Sequence, residues 1–174
     1  MLSRGGAIAL AMLAVAAMAS SAVAQGPRPP SARDFVNQAA QSDHYEIDAS
    51  RTALAQSRDP RIRAFAQAMI RDHQQMLEAL TRAAAASHLP PPAAGLGGDQ
   101  SKMLYALQGK TGREFDKAFA TQQTLAHVQA AAVMRTYADM GADPNIRQAA
   151  SKALPMIDHH LQMAQQLKTA LGGD

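Results

Sequence analysis

Two Asp-Pro pairs, Asp59-Pro60 and Asp143-Pro144, each fall between long stretches of helical periodicity, and they constrain the fold more than any other feature of the chain. Asp is a strong N-cap, and Pro fits the first helical position, where its missing N–H costs little. Each pair therefore marks the end of one helix and the start of the next. Helices are predicted from a Ser31 or Asp34 cap to about Arg58, and from Asp59 to about Ala86. A third is predicted from the capping box Thr111-Gly112-Arg113-Glu114 to about Met140, and a fourth from Asp143 to about Leu171, where Gly172-Gly173 stops it. Between the second and third, Leu89 to Asp99 carries Pro90-Pro91-Pro92 and Gly95, Gly97 and Gly98, which signals a loop, with room for a short helix over Gln100 to Leu107. The result is two tight hairpins joined by a connection of roughly 25 residues, long enough to cross a bundle from end to end. The expected fold is all-α, a ferritin-like four-helix bundle over residues 33–171.

Composition agrees. Hydrophobic residues make up 47% of the chain but aromatics only 4%, and Ala and Met supply the excess, which favours helices over sheets. With no Cys, disulfides, thiolate-held metals and a Cys nucleophile are excluded. The 17 basic and 14 acidic residues are too balanced, and too free of basic runs, for a nucleic-acid surface. Tyr45, Tyr105 and Tyr137 are too dispersed to stack bases. No nucleophile elbow, P-loop or Gly-rich dinucleotide turn is present, so catalysis is not expected.

Residues 1–24 read as a secretory signal peptide. Arg4 provides the charged start, Ala7 to Ala19 the apolar stretch, and Ala22-Val23-Ala24 the small-x-small cleavage pattern. Residues 25–32, with Pro27, Pro29 and Pro30, read as a flexible lead-in. The periplasm is the expected location. The mature chain has no second apolar run long enough to span a membrane.

The hairpins resemble copies of each other. Asp59-Pro60-x-Ile62-Arg63-x-x-Ala66 matches Asp143-Pro144-x-Ile146-Arg147-x-x-Ala150. Met69-Ile70-x-x-His73-x-x-Met76 matches Met156-Ile157-x-x-His160-x-x-Met163.

At 100° per residue, the inward stripe of each long helix carries at least one ionisable group. Asp43 and Glu46 share the apolar face of the first helix, and His73 lies in the middle of the second helix's stripe. His127 sits in or beside the stripe of the third (Phe115, Phe119, Ala126, Ala130, Met134, Tyr137), and His160 in that of the fourth, while His159 points away. All fall near mid-helix, so they are expected to meet. A buried charge or unpaired imidazole costs several kcal/mol unless satisfied. Two readings satisfy it: a hydrogen-bonded polar layer that fixes helix register, or a metal ion held by Glu46, His73, His127 and His160. Such a donor set suits Zn, Fe, Mn or Cu. Met69 and Met76 flank His73, and Met156 and Met163 flank His160, adding soft donors that suit Cu(I) if they are ligands rather than core filler. A carboxylate-bridged diiron site is disfavoured, because Glu46, Glu78 and Glu114 are the only Glu residues and none precedes a His by three.

Four stretches resemble the bacterial domain-of-unknown-function family 4142. They are Phe65-Ala66-Gln67-Ala68-Met69-Ile70-Arg71-Asp72-His73, Ser42-Asp43-x-Tyr45-Glu46-Ile47, Gly112-Arg113-Glu114-Phe115-Asp116-Lys117-Ala118-Phe119 leading to His127, and Leu154-Pro155 leading to His160-Leu161. The resemblance implies an exported ferritin-like bundle without a settled activity. It also implies a recurring polar set at Glu46, Asp72, His73, His127 and His160, with Asp72 orienting the surroundings of His73. Pro155 is expected to kink the fourth helix before His160. The functional expectation is a periplasmic helical bundle with a metal-binding centre. The alternative is an envelope stress or scaffold module whose histidines only knit its core.

Overall fold

The structure is a computed structural model and describes residues 29–172. The predicted signal peptide and the first part of the lead-in lie outside these residues. The described chain forms five helices and no strand: α1 Ala32–Gln56, α2 Pro60–Ala86, α3 Gly98–Gln108, α4 Gly112–Met140 and α5 Pro144–Ala170.

Local chemistry explains most boundaries. Ser31 Oγ accepts from Asp34 N (3.2 Å) and starts α1. Asp59 Oδ1 accepts from Arg61 N (2.8 Å), and Asp143 Oδ1 accepts from Asn145 N (2.9 Å) and Ile146 N (3.0 Å), so both Asp-Pro pairs act as caps followed by Pro. The expected capping box at Thr111 does not form. The chain enters α4 through Gly112 in the left-handed region (φ 55°), the Thr111 hydroxyl makes no capping bond, and Glu114 pairs with Lys110 instead. α5 runs unbroken through Pro155.

α1 packs on α2, α2 on α5, α5 on α4 and α4 on α1, closing a ring of four long helices. Two apolar clusters fill it. One gathers Ala53 near the end of α1, Ile62, Phe65 and Met69 of α2, Phe115 and Phe119 of α4, and Leu167 of α5. The other gathers Phe35 of α1, Leu80 of α2, Met134 and Tyr137 of α4, and Ile146 of α5. Each cluster thus mixes the start of some helices with the end of others. Every neighbouring pair in the ring is antiparallel, and the chain between α2 and α4 must travel the full length of the ring. α3 lies on that path, against α1 and α4. Burying Phe or Leu side chains such as these contributes about 1.5–3 kcal/mol each.

Candidate metal centre

Between the two apolar clusters lies a polar layer. Asp43 and Glu46 come from α1, Asp72 and His73 from α2, Gln123 and His127 from α4, and His160 from α5, and all are buried. Each sits on a helix whose flanking turns insert apolar side chains into both clusters, so the helical register delivers them to one level.

The three imidazoles form a near-equilateral triangle, with ring centroids 5.7 Å (His73–His127), 5.3 Å (His73–His160) and 5.5 Å (His127–His160) apart. One nitrogen from each ring lies within 4.8 Å of one from each of the others. One nitrogen of each ring is held. His127 Nδ1 donates to the Gln123 carbonyl (2.8 Å), His73 Nδ1 pairs with Asp43 Oδ1 (2.8 Å), and His160 Nε2 pairs with Asp72 Oδ2 (3.1 Å). That leaves His73 Nε2, His127 Nε2 and His160 Nδ1 buried without a hydrogen-bond partner. Glu46 Oε2 and both Gln123 amide atoms at the same level also lack one. Buried polar atoms are normally satisfied by protein, water or an ion, so this level is the one that calls for a further partner.

Burial keeps the imidazoles neutral. It pushes His73 down to about 4 against a modest upward pull from Asp72. His127 is pushed to about 3, chiefly by burial and then by His73. His160 is pushed to about 4 by burial and His73, with Asp72 opposing. Neutral imidazole is the ligating form. A carboxylate or carbonyl behind each ring fixes its orientation, the arrangement usual for metal-bound histidine. An ion with metal–nitrogen bonds of about 2.0–2.1 Å sets ligand atoms roughly 3.3–3.6 Å apart, so small ring rotations would close the triangle.

The other expected residues divide. Glu46 shares the layer but stands outside the trio, with Oε1 4.0 Å from His127 Nδ1, the nitrogen turned to Gln123. Burial pushes its carboxyl up to about 8, partly offset by the Gln123 side chain and reinforced by Asp43. Asp43 is likewise raised by burial, against a pull from His44. Asp72 does not hold its neighbour His73. It reaches across to His160 while Arg71 Nε donates to its other oxygen (3.0 Å), and Asp43 holds His73. The methionines do not converge. Met69 and Met163 pack in the first apolar cluster, Met76 against the second, and Met156 is 38% exposed. Gln123 escapes a reading of the sequence, because a Gln within a polar run carries no signal of burial; only its position one turn before His127 points inward.

The helical ring with a buried histidine triangle defines the class: an all-α protein with a candidate metal centre at mid-height. The chain belongs to the family described as a domain of unknown function (DUF4142), whose profile matches residues 16–167. No curated protein matches it significantly. Among solved structures, a DUF305 fragment from Deinococcus radiodurans is similar with a TM-score of 0.67 at 15% identity, over 84% of this chain and 99% of that one. CopM in its Cu(I)-bound form is similar with a TM-score of 0.68 at 18% identity, over 83% of this chain and 99% of that one. Its Cu(II)-bound form gives 0.67 at 18% identity, over 82% and 98%. At these identities the likeness is one of fold.

Proposed function

We propose that this is an exported, ferritin-like four-helix bundle that binds one transition-metal ion through His73, His127 and His160 and so buffers or stores that metal in the periplasm. The observation that carries the reading is the set of three buried ring nitrogens left without partners while each opposite nitrogen is held in place. Three neutral imidazoles suit Cu or Zn better than the oxygen-rich preference of Mn. Glu46, buried with its Oε1 4.0 Å from His127 Nδ1 and protonated in the metal-free protein, is a carboxyl that a bound cation would draw towards its ionised form. The antiparallel neighbours and the lengthwise crossing between α2 and α4 support the ferritin-like arrangement. The copper-bound state of CopM, a protein of similar fold, is compatible with the same reading.

The test is elemental analysis of the protein purified without a histidine tag, before and after titration with Fe, Cu, Zn and Mn. One equivalent of bound ion is expected, lost in His73→Ala and in His160→Ala and retained in His159→Ala, whose ring is exposed. Absence of binding tighter than about millimolar, a free energy of only about −4 kcal/mol, overturns the reading.

A second reading has its own observation. Leu125, Val128, Val133 and Met140 of α4 are all at least 39% exposed, an apolar surface that an interaction module of the envelope would use.

A further inference from the structure

The histidine centre is buried, so an ion needs a way in, and the two sides of the ring offer different access. On the α1/α4 side the connection follows α1 closely. Ala93 N donates to Asn37 Oδ1 (3.0 Å) near one end, and Gln56 Nε2 donates to the Gln108 carbonyl (3.3 Å) at the other. Between them Gln122 Nε2 donates to the Met103 carbonyl (3.2 Å), and the same Gln accepts from Tyr45 OH (2.9 Å). The connection therefore covers this side along the length of α1.

On the opposite, α2/α5 side a groove of about 550 Å³ opens to solvent. Met76, Ala79 and Arg82 of α2 and Lys152, Ala153 and Met156 of α5 line it, and so do the buried carboxylates Asp43 and Asp72. Those carboxylates are the partners of His73 and His160, and the histidines themselves do not line the groove. Two other surface cavities share no residue with the histidine layer.

We infer that the groove between α2 and α5 is the route by which Cu(I) reaches the histidine centre, passing Met156 and Met76 and handed inward by Asp72 and Asp43. This rests on the metal reading above. Asp72 straddles the boundary. Its side chain is 11% exposed; Arg71 at the surface donates to Oδ1 (3.0 Å) and more distantly to Oδ2 (3.4 Å), the oxygen that also pairs with the fully buried His160. A cation arriving there meets a carboxylate that Arg71 holds from outside and that orients the His160 ring, whose Nδ1 is left free to receive the ion. The thioethers are soft donors that hold Cu(I) in preference to Zn(II), and in a chain without Cys they are the sulfur ligands available.

The experiment follows metal uptake by the purified protein in stopped flow, with Cu(I) and Zn(II) each delivered from a weak chromophoric chelator. Ala79→Trp and Ala153→Trp narrow the groove from either wall, and Ala132→Trp, at an exposed position of α4 outside the groove, serves as control. Each groove variant is expected to slow loading about tenfold while equilibrium affinity stays within about threefold of wild type, because a narrowed path alters arrival and departure together. Two groove variants are used so that one failing to fold leaves the other to decide. Met76→Leu/Met156→Leu is expected to slow Cu(I) about fivefold and to leave Zn(II) loading unchanged. Wild-type loading rates in the folded groove variants overturn the route, and a methionine variant that loads Cu(I) at the wild-type rate, or slows both ions by the same factor, overturns its selectivity for Cu(I). If wild type binds neither ion at equilibrium, the route falls; if it binds none of Fe, Cu, Zn and Mn, the metal reading falls with it.

Discussion

At the scale of single residues, burial works in opposite directions on the two kinds of ionisable group in the polar layer, and stability of the metal-free protein should reveal both. The three histidines ordinarily titrate near 6.5 and are pushed down to between about 3 and about 4. Below 6.5 the unfolded chain takes up protons that the folded chain refuses, so stability falls with acid until the folded values are reached. Glu46 ordinarily titrates at 4.5 and is pushed up to about 8. From 4.5 to 8 the folded chain keeps a proton that the unfolded chain releases, so this contribution is lost as pH rises. Between these limits three imidazoles outweigh the carboxyls. Above 6.5 only the carboxyls act. Urea denaturation of chelator-treated protein should show maximal stability near pH 6.5 and a decline towards pH 8. Glu46→Gln should flatten that decline and leave the acid side as it is; a decline as steep as in wild type would contradict the assignment to Glu46.

At the scale of elements, the two Asp-Pro starts are chemically alike but do not carry equal structural weight. Asp59 caps within its own turn and pairs with Arg61. Asp143 caps α5 and also accepts from Ser87 Oγ (2.7 Å), the residue that ends α2, so it ties the end of one helix to the start of another. Asp143→Ala should cost about 1–2 kcal/mol, a loss of roughly 3–6 °C in Tm, and Asp59→Ala less. Equal losses in thermal melts would show that the tie to Ser87 contributes nothing. These starts are legible in the sequence because a cap and its Pro are local signals. The failed box at Thr111 is not, because the left-handed turn at Gly112 decides it. Stripe positions on α2 and α5 are legible through periodicity, including His73 and His160. On α4 the inward face takes Ala120, Gln123 and Ala131, where periodicity points to Ala126 and Ala130. Gln123 sits among Thr121, Gln122 and Thr124, and nothing in that polar run distinguishes the one side chain that is buried. The reach of Asp72 to His160 is also hidden, since it depends on the rotation of α2 against α5, which no single helix records.

At the scale of the whole molecule, the polar layer divides one hydrophobic interior into two. A protein selected only for stability would fill that level with apolar side chains, because buried unpartnered polar atoms cost about 1–3 kcal/mol each. The bundle instead places three oriented imidazoles there, supports each from behind, and leaves a groove leading to two of the supports. The crossing connection covers one side and the groove opens the other, so topology and access follow from the same chain path. The most direct measurement is an anomalous difference map from crystals of the protein saturated with copper, collected on both sides of the metal edge. A single peak within about 2.0–2.1 Å of His73, His127 and His160 is the expected result. A layer filled by water, with no anomalous peak among the three rings, would contradict it.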